Sequence, residues 1–239
     1  MAEAAFWGLL TAGSLWVGAA LAAWARLGER AIGLAMAFGA GALIAAVAYE
    51  LVIDAFASDR RLASLGFACG GLTFYAGDVV IDRMGRQGRK SITGASQLAG
   101  SASAIVLGTV LDGIPESFVL GSSLVDEGTV PVAVVVGVFV SNVPEALSGT
   151  AGLLAAGWRP GRVFTMWSAV VVASVAATVA GWLLIDNVGS TGGAFITAYA
   201  AGALLVMLAD TLIPEAFDLG GREAGLLTAL GFALGFALS

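Results

Sequence analysis

The sequence predicts an all-α, polytopic membrane protein, with eight transmembrane helices forming a single domain over residues 1–239. Three observations carry that expectation. The chain is 59% hydrophobic and only 12% charged, against roughly 25% charged residues in a soluble domain, and its mean hydropathy is +0.94. Its apolar runs recur at close to the ~20 residues that a spanning helix needs. Its lysines and arginines fall in alternate loops, as they do when short cytoplasmic loops hold the positive charge.

The first span, about 4–25, opens with "MAEAAFWGLL". That stretch has no basic n-region and no clear small-residue cleavage site, so it reads as a helix and not as a cleaved signal. Arg26 and Arg30 separate it from the second, about 31–53, which contains "AFGAGALIAA" and ends on Glu50 and Asp54. Arg60 and Arg61 precede the third, about 62–82, where "GFACGGL" holds the lone Cys69, expected inside as a small apolar residue, and where Asp78 lies near the end. After Arg83, Arg86, Arg89 and Lys90 comes the fourth span, about 98–124, with "LDGIPESFVLG" at its centre. Asp126 and Glu127 lead to the fifth, about 129–155, with "SNVPEALSG". Arg159 and Arg162 precede the sixth, about 163–185, Asp186 ends it, and the seventh, about 190–217, finishes in "ADTLIPEAF". Arg222 precedes the eighth, about 223–238, with "GFALGFAL".

Nine of the eleven basic residues share one side in this scheme, and only Arg60 and Arg61 lie on the other. Both termini are therefore expected outside the cytoplasm. The 34 glycines read as close helix packing, and the few Trp and Tyr as interface or packing residues. No loop is long or basic enough for nucleic acid.

The acids carry the functional signal. Glu50, Asp54, Asp78, Asp112, Glu116, Glu145, Asp210 and Glu215 lie within or at the ends of spans, while no Lys, Arg or His lies deep in any span. A charge near the bilayer centre costs at least ~2.5–3.5 kcal/mol and faces a partner or a wet cavity. Here the counter-charge has to be a proton or a cation from outside. Asp112 and Glu116 are i, i+4, so they share a face and repel unless something positive lies between them. Pro115 and Pro144 each free a carbonyl mid-helix, which needs water, protein or an ion. For a single acid, a protonated and hydrogen-bonded carboxyl is the plainer alternative. The Gly77-Asp78 dipeptide also occurs in aspartyl intramembrane proteases, but no second matching Asp motif accompanies it, so an enzyme is not expected.

Two internal similarities suggest an inverted repeat. "DGIPESFVLG" matches "SNVPEALSGT" around Pro-Glu, and "YELVIDAF" matches "ADTLIPEAF". Each pair lies on spans of opposite direction, as in transporters with a midplane site at the repeat interface. Glu50 and Asp54 then sit near the outer face, Asp112, Glu116 and Glu145 centrally, and Asp210 and Glu215 near the cytoplasm.

Together these motifs resemble the ZIP (zinc- and iron-regulated transporter-like) family. The family's fourth helix commonly carries His-Asn-x-Pro-Glu-Gly and its fifth a related x-Pro-Glu-Gly pattern; "DGIPES" and "SNVPEA" stand there, and the seventh span resembles the family's Leu-x-Pro-Glu-Ala-like ending. The resemblance covers essentially the whole chain. It implies eight helices with external termini in the cell membrane, and divalent metal moving as substrate toward the cytoplasm with no prosthetic group. It also implies metal ligands at Asp112, Glu116, Asn142 and Glu145. Glu50, Asp54, Asp210, Glu215, Ser141 and Ser174 belong to the pathway. Asp112 replaces the family's histidine, Gly113 the asparagine, Ser141 the first residue of the second motif, and Ser174 stands where relatives with two metals carry a glutamate. The expected site is thus mononuclear and oxygen-rich. Carboxylate and carbonyl oxygens suit manganese, magnesium and calcium, imidazole suits zinc, copper, iron and nickel, and zinc still accepts carboxylates. A degenerate relative that binds or senses metal without moving it, and a cation-coupled carrier of another solute, remain as alternatives. The expected partners are divalent ions and the lipid bilayer, with a homodimer left open.

Overall fold

The computed structural model describes residues 1–25, 27–83, 102–126 and 130–239. Arg26, Arg86, Arg89, Lys90 and Glu127 of the charge pattern, and the expected starts of the fourth and fifth spans, lie outside the described residues. All regular structure among the described residues is helical: α1 (Ala2–Trp24), α2 (Glu29–Ser58), α3 (Arg60–Arg83), α4 (Ala102–Asp126), α5 (Val132–Ala155), α6 (Pro160–Val188), α7 (Gly192–Gly220) and α8 (Glu223–Leu238). Six of these, all but α4 and α8, meet the length and hydropathy of a membrane span among the described residues. The expected segments and the observed helices differ at their ends by a few residues.

Helix ends follow local chemistry. The Asp59 carboxylate accepts from the Arg61 and Leu62 N–H groups at 2.9 and 3.0 Å, satisfying orphan donors of the first turn of α3. Gly157 after α5 and Gly221 after α7 have φ of 83° and 69°, where a Cβ is disfavoured. Pro160 opens α6 at a position where its missing N–H costs nothing.

The chain turns back between Pro160–Val188 and Gly192–Gly220, where the sequence expects it to. The sequence around Asp186 predicts a loop between the sixth and seventh spans, yet the backbone is helical without interruption from Pro160 to Met207. The helix is sharply folded there instead. A Cβ on Gly192 would stand 2.8 Å from the Val188 Cβ, whereas residues four apart in a straight helix hold these atoms ≈ 5–6 Å apart. Leu184 and Ala203 also line one crevice, although a straight helix would separate them by roughly 28 Å.

Cross-helix contacts fix the directions. Asn142 reaches the Thr11 carbonyl and Gly18 lies on Val143 and Ala146, so α1 and α5 run the same way. Gly8 faces Thr178, and Trp16 donates to Ser168 at 3.2 Å, so α1 and α6 run oppositely. By the same reasoning α2 runs with α8 (Gly41 on Thr228, Gly235 on Ala42), α3 with α7 (Gly66 on Phe195, Gly71 on Val206) and α4 with α6 (Gly113 by Ser174, Gly121 by Trp182). α2 crosses α5 oppositely, with Gly39 on Ser141 and Leu43 on Gly137.

Reciprocal glycines make these contacts close. A Cβ would lie 1.9 Å from the Thr228 carbonyl at Gly41, and 1.9 Å from the Phe38 carbonyl at Gly231. Gly70 and Gly202 do the same between α3 and α7, at 1.8 Å from Tyr199 O and 2.1 Å from Phe67 O. Gly121 and Gly181 do it between α4 and α6. Without a hydrophobic drive between helices in lipid, such backbone approach is what holds a bundle together.

Among the described residues two turns depart from α geometry. Val47–Val52 in α2 and Leu208–Leu212 in α7 are π-helical. Pro214 follows only the second, so proline alone does not explain them; single π-turns collect at functional sites. Cys69, expected inside, is exposed on α3. The lipid-facing surface of a spanning helix is itself apolar, so an apolar residue type does not mark the buried side.

Candidate functional site

Pro115 lies inside α4 and Pro144 inside α5. Each deprives the carbonyl four residues earlier, Leu111 and Val140, of its α-helical donor. An acid follows each proline, and an acid or hydroxyl follows each released carbonyl. Oxygen groups therefore gather at one level of two neighbouring helices.

Glu116 is 1% exposed. Its Oε1 accepts from the Ser141 hydroxyl at 3.3 Å, and its Oε2 has no hydrogen-bond partner. The same hydroxyl lies 3.0 Å from the Val138 carbonyl of its own helix, so one proton is shared between two acceptors. A buried carboxylate oxygen left unmet forfeits ≈ 1–3 kcal/mol or more. Asp112, one turn earlier, is also buried.

Asp112 and Glu145 line a small cavity with Met207, Thr211, Leu212 and Glu215. Its volume is about 10 Å³, close to the room that a single water takes. Glu215, 4% exposed on α7, accepts from the Ser148 hydroxyl at 2.8 Å. The Thr211 hydroxyl is buried with no hydrogen-bond partner. Three helices thus bring an acid each to one cavity, and no Lys or Arg lines it. Among the described residues no three acids stand close enough to hold one metal ion between them; they border a shared space and do not form a closed shell.

Of the residues expected from sequence, Asp112, Glu145 and Glu215 share the cavity, and Glu116 joins Ser141 beside it. Ser141, assigned to the pathway, touches a central acid, while Asn142, assigned as a ligand, donates from Nδ2 to the Thr11 carbonyl of α1 at 3.4 Å. Ser174 is buried opposite Gly113, where a Cβ would stand 3.7 Å from its Oγ. Glu50 lies half-buried in the first π-turn, and Asp54 and Asp210 are exposed. Asp210 and Glu215 therefore part company: five positions at 3.6 residues per turn set them on different faces of α7, one exposed and one buried. Asp78 is buried on α3 and does not line the cavity.

Ser148 and Thr211 were missed by the motif reading, and both had a signal. Ser148 follows Glu145 by three positions and so shares its face. Thr211 occupies the place in "ADTLIPEAF" that Glu50 holds in "YELVIDAF" when Asp54 is set on Glu215.

Against models of known protein families the chain matches none, and no characterised protein matches it in sequence.

Proposed function

We propose that this protein moves divalent metal ions across the cell membrane toward the cytoplasm, as a histidine-free relative of the ZIP transporters, through oxygen ligands at Asp112, Glu116, Ser141, Glu145 and Glu215. The observation that carries this reading is Glu116, enclosed by protein, bonded through one oxygen to a shared serine proton and through the other to nothing. Among the described residues no buried cationic side chain meets it, and an incoming hard cation does. The cavity bounded by Asp112, Glu145, Glu215 and the Thr211 hydroxyl extends the oxygen surface by one more helix.

The architecture that goes with this proposal has eight spans, external termini and an inverted repeat. One shift in sequence carries Val47 of the first π-turn onto Leu208 of the second, Gly41 onto Gly202, and Gly70 onto Gly231. The glycine pair joining α2 to α8 thereby maps onto the pair joining α7 to α3. A midplane site between such halves suits alternating access.

A second reading rests on the absence of a three-acid ligand group among the described residues: a chain that binds or senses metal and no longer moves it. Uptake of Zn²⁺, Cd²⁺, Mn²⁺, Fe²⁺ and Mg²⁺ into proteoliposomes separates the two. Wild type is expected to give saturable uptake that Glu145→Ala abolishes. Uptake of none of these ions by monodisperse protein leaves the second reading or a cation-coupled carrier of another solute, and unchanged uptake in Glu145→Ala removes the carboxylate route.

The donor set also predicts the ion ranking. Oxygen ligands discriminate less for zinc than imidazole does, so Asp112→His is expected to raise the Zn²⁺ over Mn²⁺ uptake ratio by about tenfold, one ligand's worth of ~1.4 kcal/mol. Competition uptake with both ions present measures it; an unchanged ratio would place Asp112 outside the coordination sphere.

A further inference from the structure

A crevice of about 400 Å³ opens between α3, α4, α6 and α7, with walls that include Phe74, Leu111, Phe118, Leu184, Phe195 and Tyr199. Its place in the bundle is uneven. The seam between α2 and α5 is shut by Gly39 against the Ser141 backbone and Gly137 against Leu43. The corresponding seam between α7 and α4 holds the crevice. An apolar space of this size lies within the ≈ 300–1,000 Å³ range of ligand pockets, and in a bilayer it is reached by acyl chains.

Above it lies a charge that meets no carboxylate among the described residues. Arg60 and Arg61 begin α3 and are exposed. Among the described residues the one ion pair joins Arg30 to Glu223, so neither guanidinium has a carboxylate. Asp59 beside them is committed to capping the helix. These are also the two basic residues that break the alternation of the loops. Arg60, Phe67 and Phe74 recur every seven positions and so share a helix face. Phe195, at one end of the crevice, packs at the level of Gly66, about 9 Å along the helix from Arg60.

We propose that the crevice is a phospholipid site, with an acyl chain filling the space between α3, α4 and the two limbs of the folded helix, and the phosphate held by Arg60 and Arg61. Guanidinium matches phosphate oxygens in bidentate geometry, and the offset between the arginines and the apolar walls has the order of a headgroup above its chain. Ile114 and Pro115 line the crevice in the same turn that carries Asp112 and Glu116, so the chain buttresses the acid-bearing turn of α4.

The test is photolabelling of the full chain in nanodiscs with a phosphatidylglycerol carrying an acyl-chain diazirine, followed by peptide mapping. Labels are expected to concentrate on Phe118, Leu184 and Ile196 and to be competed by unlabelled phospholipid. Thr73→Trp, which fills the crevice from an exposed position, is expected to remove them; Ile196→Trp serves the same purpose if that variant does not fold. Arg60→Gln with Arg61→Gln is expected to weaken labelling by about thirtyfold, at ≈ 1 kcal/mol per basic residue near anionic lipid. A diazirine diacylglycerol, lacking the phosphate, should label the crevice poorly. Equal labelling of lipid-facing Val172 and Leu226, or labelling unaffected by the crevice-filling variants, overturns the site. Equal labelling by diacylglycerol overturns the role of the arginines. None of these readouts depends on metal flux, so the proposal stands or falls separately from the transport reading.

Discussion

Glu116→Gln is expected to abolish saturable metal uptake into proteoliposomes, a fall of at least about 100-fold, since even residues that only support metal ligands cost 10–100-fold. The substitution keeps the shape of the side chain and an oxygen for Ser141, so the helix contact survives. What disappears is the negative charge and the second acceptor, which are the features a cation needs. The same change puts a neutral amide nitrogen in place of the unmet carboxylate oxygen, and relieving a buried unpaired charge stabilises a fold. The thermal midpoint should therefore hold or rise while uptake is lost. A joint fall in stability and uptake would mean that Glu116 serves the packing and not the ion.

Gly70→Leu is expected to produce the largest loss of stability of any single glycine replacement between α3 and α7. A Cβ at Gly70 would stand 1.8 Å from the Tyr199 carbonyl oxygen and 2.7 Å from its carbon. Both are backbone atoms in a helix, so neither can rotate away and the two helices must separate. Overpacking costs about 1–3 kcal/mol when side chains can adjust, and here the obstacle is main chain, which puts the loss at or above the upper end. Gly13 in α1 is the control, because a Cβ there meets nothing within 4 Å. Gly13→Ala should be neutral or stabilising by up to ~1 kcal/mol through helix propensity. Thermal melting in detergent of the two variants checks the contrast; equal effects would mean that the α3–α7 approach does not limit stability.

The glycine contrast bears on what can be read without coordinates. Both Gly13 and Gly70 sit in apolar runs rich in small residues, and nothing in the local pattern tells one from the other. In water the polar face of a helix marks its outside. In lipid both faces are apolar, and the hydrophobic pattern loses that information. Cys69, adjacent to Gly70, was for that reason placed inside and is found outside. The reversal expected near Asp186 is found, between Pro160–Val188 and Gly192–Gly220, because it follows from the length of the apolar runs and not from which face is buried.

The acids divide along the same line. Asp112 and Glu116 share a face by spacing alone, and the prolines mark α4 and α5 as neighbours in chemistry; of the three central acids, Asp112 and Glu145 share one cavity and Glu116 does not line it. That Glu215, and not Asp210, lines the cavity depends on the rotation of α7 about its axis, which no residue pattern announces. That Ser141, and not Asn142, bonds Glu116 depends on the rotation of α5 between α1 and α4.

By itself the sequence determined the solvent of this protein, the approximate ends of its helices and the presence of carboxylates in segments that hold no Lys, Arg or His, because each of these follows from composition summed along a segment. The tertiary structure alone decided which of those carboxylates meet and which glycines touch. Those outcomes rest on the rotation of each helix about its axis. That rotation is set by close contacts of glycine α-carbons with backbone atoms of neighbouring helices, over distances that local composition does not encode.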